Sequence, residues 1–76
     1  METIKKLYRV NKTEISFLKF IIEAYEGIAV VSTVEREKGI VAIYIPKGCE
    51  EELDDIIGDL GKGMLIEALK ENPEGQ

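Results

Sequence analysis

The chain has no histidine, no tryptophan and a single cysteine, Cys49. Each absence excludes something. Without histidine there is no imidazole base, so a Cys–His catalytic pair cannot be assembled. With one cysteine there is no intrachain disulfide to brace a small core, and a lone thiol in a chain without a signal peptide points to a reducing cytosol. The first ten residues, METIKKLYRV, contain no uninterrupted apolar run. They read as neither a signal peptide nor a membrane anchor. Asparagine and glutamine together number three, while Glu, Lys and Ile are abundant; that balance resembles the composition of thermophile proteins.

What is present describes an ordinary soluble globular domain, with 45% apolar and 33% charged residues in a length of 76. A chain of that size buries only about 60% of its unfolded surface, which leaves stability marginal. Oligomerisation is the obvious remaining source of stability. The net charge of −5 argues against general nucleic-acid binding, which needs basic surface to displace counterions. Charge is also uneven: residues 1–19 carry a net +3, residues 20–48 a net −1 and residues 49–76 a net −7. The acids suit the start of a second helix, where the helix dipole favours them. The alternative is a self-complementary contact between the basic end of one subunit and the acidic end of another.

Residues 11–27, NKTEISFLKFIIEAYEG, read as one amphipathic helix around which the rest is organised. Asn11 is a suitable N-cap, Glu14 can complete a capping box, and Val10 with Ile15 fits a hydrophobic staple. Gly27 suits a left-handed C-terminal cap. At about 100° per residue, Ile15, Phe17, Leu18, Ile21, Ile22, Ala24 and Tyr25 form a broad apolar face that calls for a sheet beneath it. Residues 4–10 alternate as a strand, with Ile4, Tyr8 and Val10 towards the helix layer and Lys5, Leu7 and Arg9 away from it. Residues 28–34 and 40–45 are β-branched runs joined by the polar loop 35–39, hence antiparallel neighbours. From Cys49 the period becomes helical, with Leu53, Ile56, Ile57 and Leu60 as the apolar stripe. Residues 64–69 are the last strand and residues 71–76 a frayed tail.

The order β-α-β-β-α-β predicts an α+β fold, the ferredoxin-like plait: a four-stranded antiparallel sheet with both helices on one face. A single domain spans residues 1–70.

No constellation carries catalysis. Glu50, Glu51, Glu52, Asp54 and Asp55 fan out by 100° per residue along a helix and lack the alternating oxygen ligands of a calcium loop, so no metal site is assigned. Cys49 sits near a helix N-terminus, which lowers a thiol pKa, but the adjacent glutamates oppose thiolate formation. The glycines of GDLGKG end a helix instead of opening one, and no Gly-Lys-Ser/Thr follows, so they are not a phosphate loop. Tyr8 and Tyr44 lie on the central strands, where RNA-recognition motifs carry stacking aromatics; here Tyr8 points inward, and the chain is acidic. The open sheet face is more informative. Leu7, Arg9, Val30, Ser32, Val34, Ala42 and Tyr44 are the candidate interface residues, an apolar patch of the kind that marks a contact surface.

The β-α-β-β-α-β order and short length resemble an ACT-type regulatory domain. The resemblance implies dimerisation and a small ligand, typically an amino acid, at the subunit interface near the first loop. That loop usually carries a glycine after the first strand; Val10 is followed here by Asn11 and Lys12, so no ligand residue is assigned. LYRV (7–10), FLKFIIEAYEG (17–27) and VVSTVE (30–35) resemble a family of short, uncharacterised bacterial proteins of unknown function, over residues 6–60. The expectation is a cytoplasmic, non-enzymatic, ACT-like homodimer without cofactor, metal, nucleic acid or membrane association. It is a regulatory module binding a small molecule, or else an interaction domain docking a protein partner through its sheet face or the edge strand 28–34.

Overall fold

The computed structural model describes residues 2–26 and 29–70, without the side chains of Tyr25 and Glu26. The elements are β1 (Thr3–Val10), a 3-10 turn (Lys12–Glu14), α1 (Ile15–Glu26), β2 (Val30–Glu35), β3 (Ile40–Pro46), α2 (Glu50–Leu60) and β4 (Ile66–Leu69). They form one sheet in the order β2-β3-β1-β4, with every neighbouring pair antiparallel. This is the α+β ferredoxin-like plait that the alternating periods predict. The expected cap at Gly27, the strand start at Ile28, the Tyr25 side chain and the tail 71–76 lie outside the described residues.

The period-2 reading of β1 sets the layers. Tyr8 and Val10 are buried, and Ile4 packs partly against the same core. Val31 of β2 and Val41, Ile43 and Ile45 of β3 join them. Ile15, Leu18 and Ile22 of α1 and Leu53 and Ile56 of α2 close over that face, so both helices share one side of the sheet.

Two details of α1 differ from the sequence expectation. Its first turn is a 3-10 turn: the Thr13 N–H and hydroxyl both donate to Asn11 Oδ1, at 3.0 and 2.8 Å, and the Glu14 N–H donates to the Asn11 carbonyl at 2.8 Å. Among the described residues no bond from the Glu14 carboxylate back to the Asn11 N–H completes the capping box. Asn11→Ala is expected to cost about 1 kcal/mol, because it strips two donors of their acceptor at the helix entry. A shift of the urea midpoint that small, with an unchanged slope, checks it; no shift at all would contradict the cap.

The second difference is the width of the apolar face. Leu18 and Ile22 are fully buried, but Phe17 is 48% exposed and Ala24 is also exposed. Phe17 and Ala24 sit about 100–120° around the helix from Leu18. The sheet covers a narrower arc than that, and α2 does not reach far enough to close the remainder.

The hairpin between β2 and β3 holds the corner where β1 ends. Gly39 has φ +72, its N–H donates to the Arg36 carbonyl at 3.0 Å, and its own carbonyl accepts from Val10 N–H at 2.8 Å. Lys12 on the far side of the corner pairs with Glu37 at 2.8 Å.

β4 is shorter than the predicted 64–69. The Leu60 carbonyl accepts from the Gly63 and Met64 N–H groups, both at 3.0 Å. The turn after α2 therefore continues through Met64, and extended pairing begins only at Ile66.

Candidate functional site

The candidate site is the sheet face opposite the helices. Pairing register fixes its composition. In the central row Ser32 of β2 lies opposite Ala42 of β3, Ala42 opposite Leu7 of β1, and Leu7 opposite Leu69 of β4. One row away, Val30 lies opposite Tyr44 and Tyr44 opposite Lys5. On the other side Glu35, Ile40, Arg9 and Glu67 form the third row. The face is thus apolar in the middle, with one charge in the Val30 row, Lys5, and three in the other outer row, Glu35, Arg9 and Glu67.

The sequence-derived candidates take up these places with one exception. Leu7 and Tyr44 are half-buried, and Ala42 is buried without a second layer, sunk between Leu7 and Ser32. Val30 is 54% exposed, an uncovered valine beside Tyr44. Val34 does not follow the alternation from Val30 and Ser32. Thr33 pairs with Val41 and Glu35 with Ile40, so Val34 falls at a bulge without a cross-strand partner. Five further members were missed, among them Glu35, which the bulge shifts onto this face. Ile40 and Lys5 share parity with Ala42 and Leu7, so the alternation alone contains them. Leu69 and Glu67 depend on the β1–β4 register, for which a four-residue strand carries no sequence signal.

Two of the charges on this face, Arg9 and Glu67, pair within the chain. The Arg9 guanidinium donates to Glu67 Oε1 through Nη2 at 2.7 Å and Nε at 3.2 Å. On the helix side, Lys6 reaches Asp54 at 3.7 Å. Two basic residues of β1 therefore meet acids of the C-terminal third intramolecularly. The charge asymmetry of the sequence is in part a product of β1 lying between α2 and β4. Both pairs are substantially exposed and stabilise the fold little.

The edge strand β2 is better protected than its sequence suggests. Its only visible charges are at its end, yet α1 reaches over it. Val31 N–H donates to Glu23 Oε2 at 3.3 Å, and Lys19 Nζ donates to the Val31 carbonyl at 3.5 Å. Lys19 and Glu23, four residues apart on the polar flank of α1, thus occupy both outward backbone groups of Val31, one of the positions where an added strand would bind. This favours the sheet face over the β2 edge as a contact surface.

A recess of about 290 Å³ opens where β1 runs beyond the end of β4, lined by Lys5, Lys6, Leu7, Tyr8, Asp54, Ala68 and Leu69. Burial, and then the nearby Asp54 carboxylate, push the Tyr8 hydroxyl above its usual pKa, so it remains protonated. At the start of α2, Glu50 has a lowered pKa because its carboxylate accepts backbone N–H bonds, its own first and that of Gly48 at 2.8 Å next. The Cys49 thiol makes no capping hydrogen bond there. Among the described residues no three of the acidic or cysteine side chains converge as metal ligands, and no helix is long and apolar enough to cross a membrane.

Fold and face together define a small α+β plait with an uncovered, mainly apolar sheet. The chain belongs to the family described as Domain of unknown function (DUF4911), whose model matches residues 8–64. The match takes in α1, β2, β3 and α2 whole, with the last turn of β1. No curated protein and no solved structure matches the chain.

Proposed function

We propose that this protein is a non-enzymatic, ACT-like module of the bacterial cytoplasm that dimerises by placing its open sheet face against that of a second copy. The observation that carries the reading is the apolar row Ala42–Leu7–Leu69, flanked by Ile40, Val30 and Tyr44, on a face that none of the described residues covers. Its size is modest. Strands of eight, six, seven and four residues, about 4.8 Å apart and rising about 3.3 Å per residue, make a flat footprint of roughly 400 Å² per protomer. Two such faces cover on the order of 800 Å², the range of small, weakly held interfaces. Its charge is compatible, because the Arg9–Glu67 pair brings no net charge to a two-fold contact in which each patch meets its own copy. The cytoplasmic setting rests on the lone thiol, and the bacterial one on the sequence resemblance. A role in sensing a small molecule rests on the open recess beside Lys5 and Lys6. The non-enzymatic reading rests on the lack of histidine.

Sedimentation at micromolar concentration tests this. The expected species has twice the chain mass of 8.5 kDa. Tyr44→Glu should weaken the dimer by roughly tenfold or more, since it replaces an aromatic contact with a carboxylate that the second copy desolvates. A wild-type monomer, or a dimer indifferent to Tyr44→Glu, would overturn the proposal. The alternative, a different protein docking on the same face, predicts a monomer whose partner is displaced by that substitution.

A further inference from the structure

The helix side of the molecule carries a second apolar surface that the described residues leave uncovered, separate from the open sheet. Phe17, Phe20, Ile21 and Ala24 of α1 recur at helical spacing and lie outside the core. Phe20 is 69% exposed, the most exposed of the large apolar side chains among the described residues. Because α1 and α2 run antiparallel, the start of α1 lies beside the end of α2. Between them is a groove of about 260 Å³ whose floor is Phe17, Leu60, Gly63 and Met64 and whose rim is Glu14 and Asp59. The apolar stripe of α1 leads away from the groove along one side. On the other, Glu52, Asp55 and Asp59 recur three and four residues apart on an exposed flank of α2. Lys62 is the cation paired to this flank, 3.8 Å from Asp59, and both side chains are more than three-quarters exposed.

We propose that this groove is a docking site for a basic amphipathic helix of a partner protein. A third helix fits the geometry: its apolar residues at i, i+3 and i+4 would seat between Phe17 and Phe20 on one side and Leu60 and Met64 on the other. Charge complementarity selects the occupant. Lysines or arginines flanking that stripe would meet Glu14, Asp55 and Asp59, whereas a second copy of this chain would bring acid against acid in a two-fold contact. An anionic membrane surface is disfavoured by the same acids. The molecule is then two-sided: a charge-balanced sheet suited to its own copy, and an acidic groove suited to something else.

The test is selection from a displayed library of helical peptides against the full chain, followed by titration of the selected peptides. Selected sequences should carry apolar residues three and four apart with net positive charge. They should shift the backbone amide resonances of Phe17, Leu60, Gly63 and Met64. Phe20→Ser, which removes an exposed side chain and should leave the fold intact, is expected to weaken binding about tenfold or more. Asp59→Lys should weaken it independently. An absence of enriched peptides, selection without positive charge, binding unaffected by both substitutions, or shifts centred on the open sheet would each overturn the proposal.

Discussion

Leu18→Ala is expected to destabilise the protein by about 2–5 kcal/mol, and Ile22→Ala by a similar amount. Both side chains are fully buried where α1 meets the sheet, so truncation removes contacts on every side and leaves a void. The consequence is large because the reserve is small. At about 0.05–0.15 kcal/mol per residue, a chain this short has only some 4–11 kcal/mol in hand. Phe20→Ala, two positions along the same helix, should change stability by less than about 0.5 kcal/mol, as surface substitutions do. Urea denaturation of the three variants at one protein concentration reads the contrast. Equal losses for Leu18 and Phe20, or the reverse order, would show that α1 presents a different face to the sheet.

Gly39→Ala should be the most damaging change outside the core, costing at least about 1–3 kcal/mol. Two causes act together. The backbone at φ +72 is in the left-handed region, which costs an L-residue about 1–2 kcal/mol. A Cβ placed there would also lie 1.8 Å from the Val10 carbonyl oxygen, a contact with backbone that cannot rotate away. Relief requires the hairpin to lift off β1, which breaks the 2.8 Å bond between Val10 N–H and the Gly39 carbonyl. Gly58→Ala is the informative control, since a Cβ at that helical position meets nothing within 4 Å. It should be neutral or stabilising by up to about 1 kcal/mol. A Gly39→Ala protein that melts with the wild type would remove the close approach from the account of this corner.

The fold is legible in the sequence because each element announces its own period. Ile4, Tyr8 and Val10 alternate, Leu53, Ile56, Ile57 and Leu60 recur at helical spacing, and the glycine ending the loop at residue 39 marks the hairpin. α1 is where the pattern misleads. Its apolar residues cover half the helix, but hydrophobicity alone does not separate the arc facing the sheet from the arc facing a groove. By periodicity Phe17 joins the first arc, and in the fold it lines the second. The open face is half legible. Leu7, Ala42 and Tyr44 follow from alternation, while Leu69 and Glu67 follow only from β4 pairing with β1. Val34 escapes because a bulge resets the alternation without altering the composition of the strand. The protection of β2 is not legible at all: Lys19 and Glu23 look like an ordinary solvated helix flank until α1 is placed beside Val31.

That contact at Val31 limits how copies of this chain can be strung together. A sheet propagates from molecule to molecule only if each unit offers two available edges, one to receive and one to extend. Here one edge is held at Val31 by the protein's own helix, and the other is a strand of four residues. A strand adding along β2 must first displace Lys19 and Glu23 from Val31. The two side chains work as a toll on propagation, set at one residue of the longer edge.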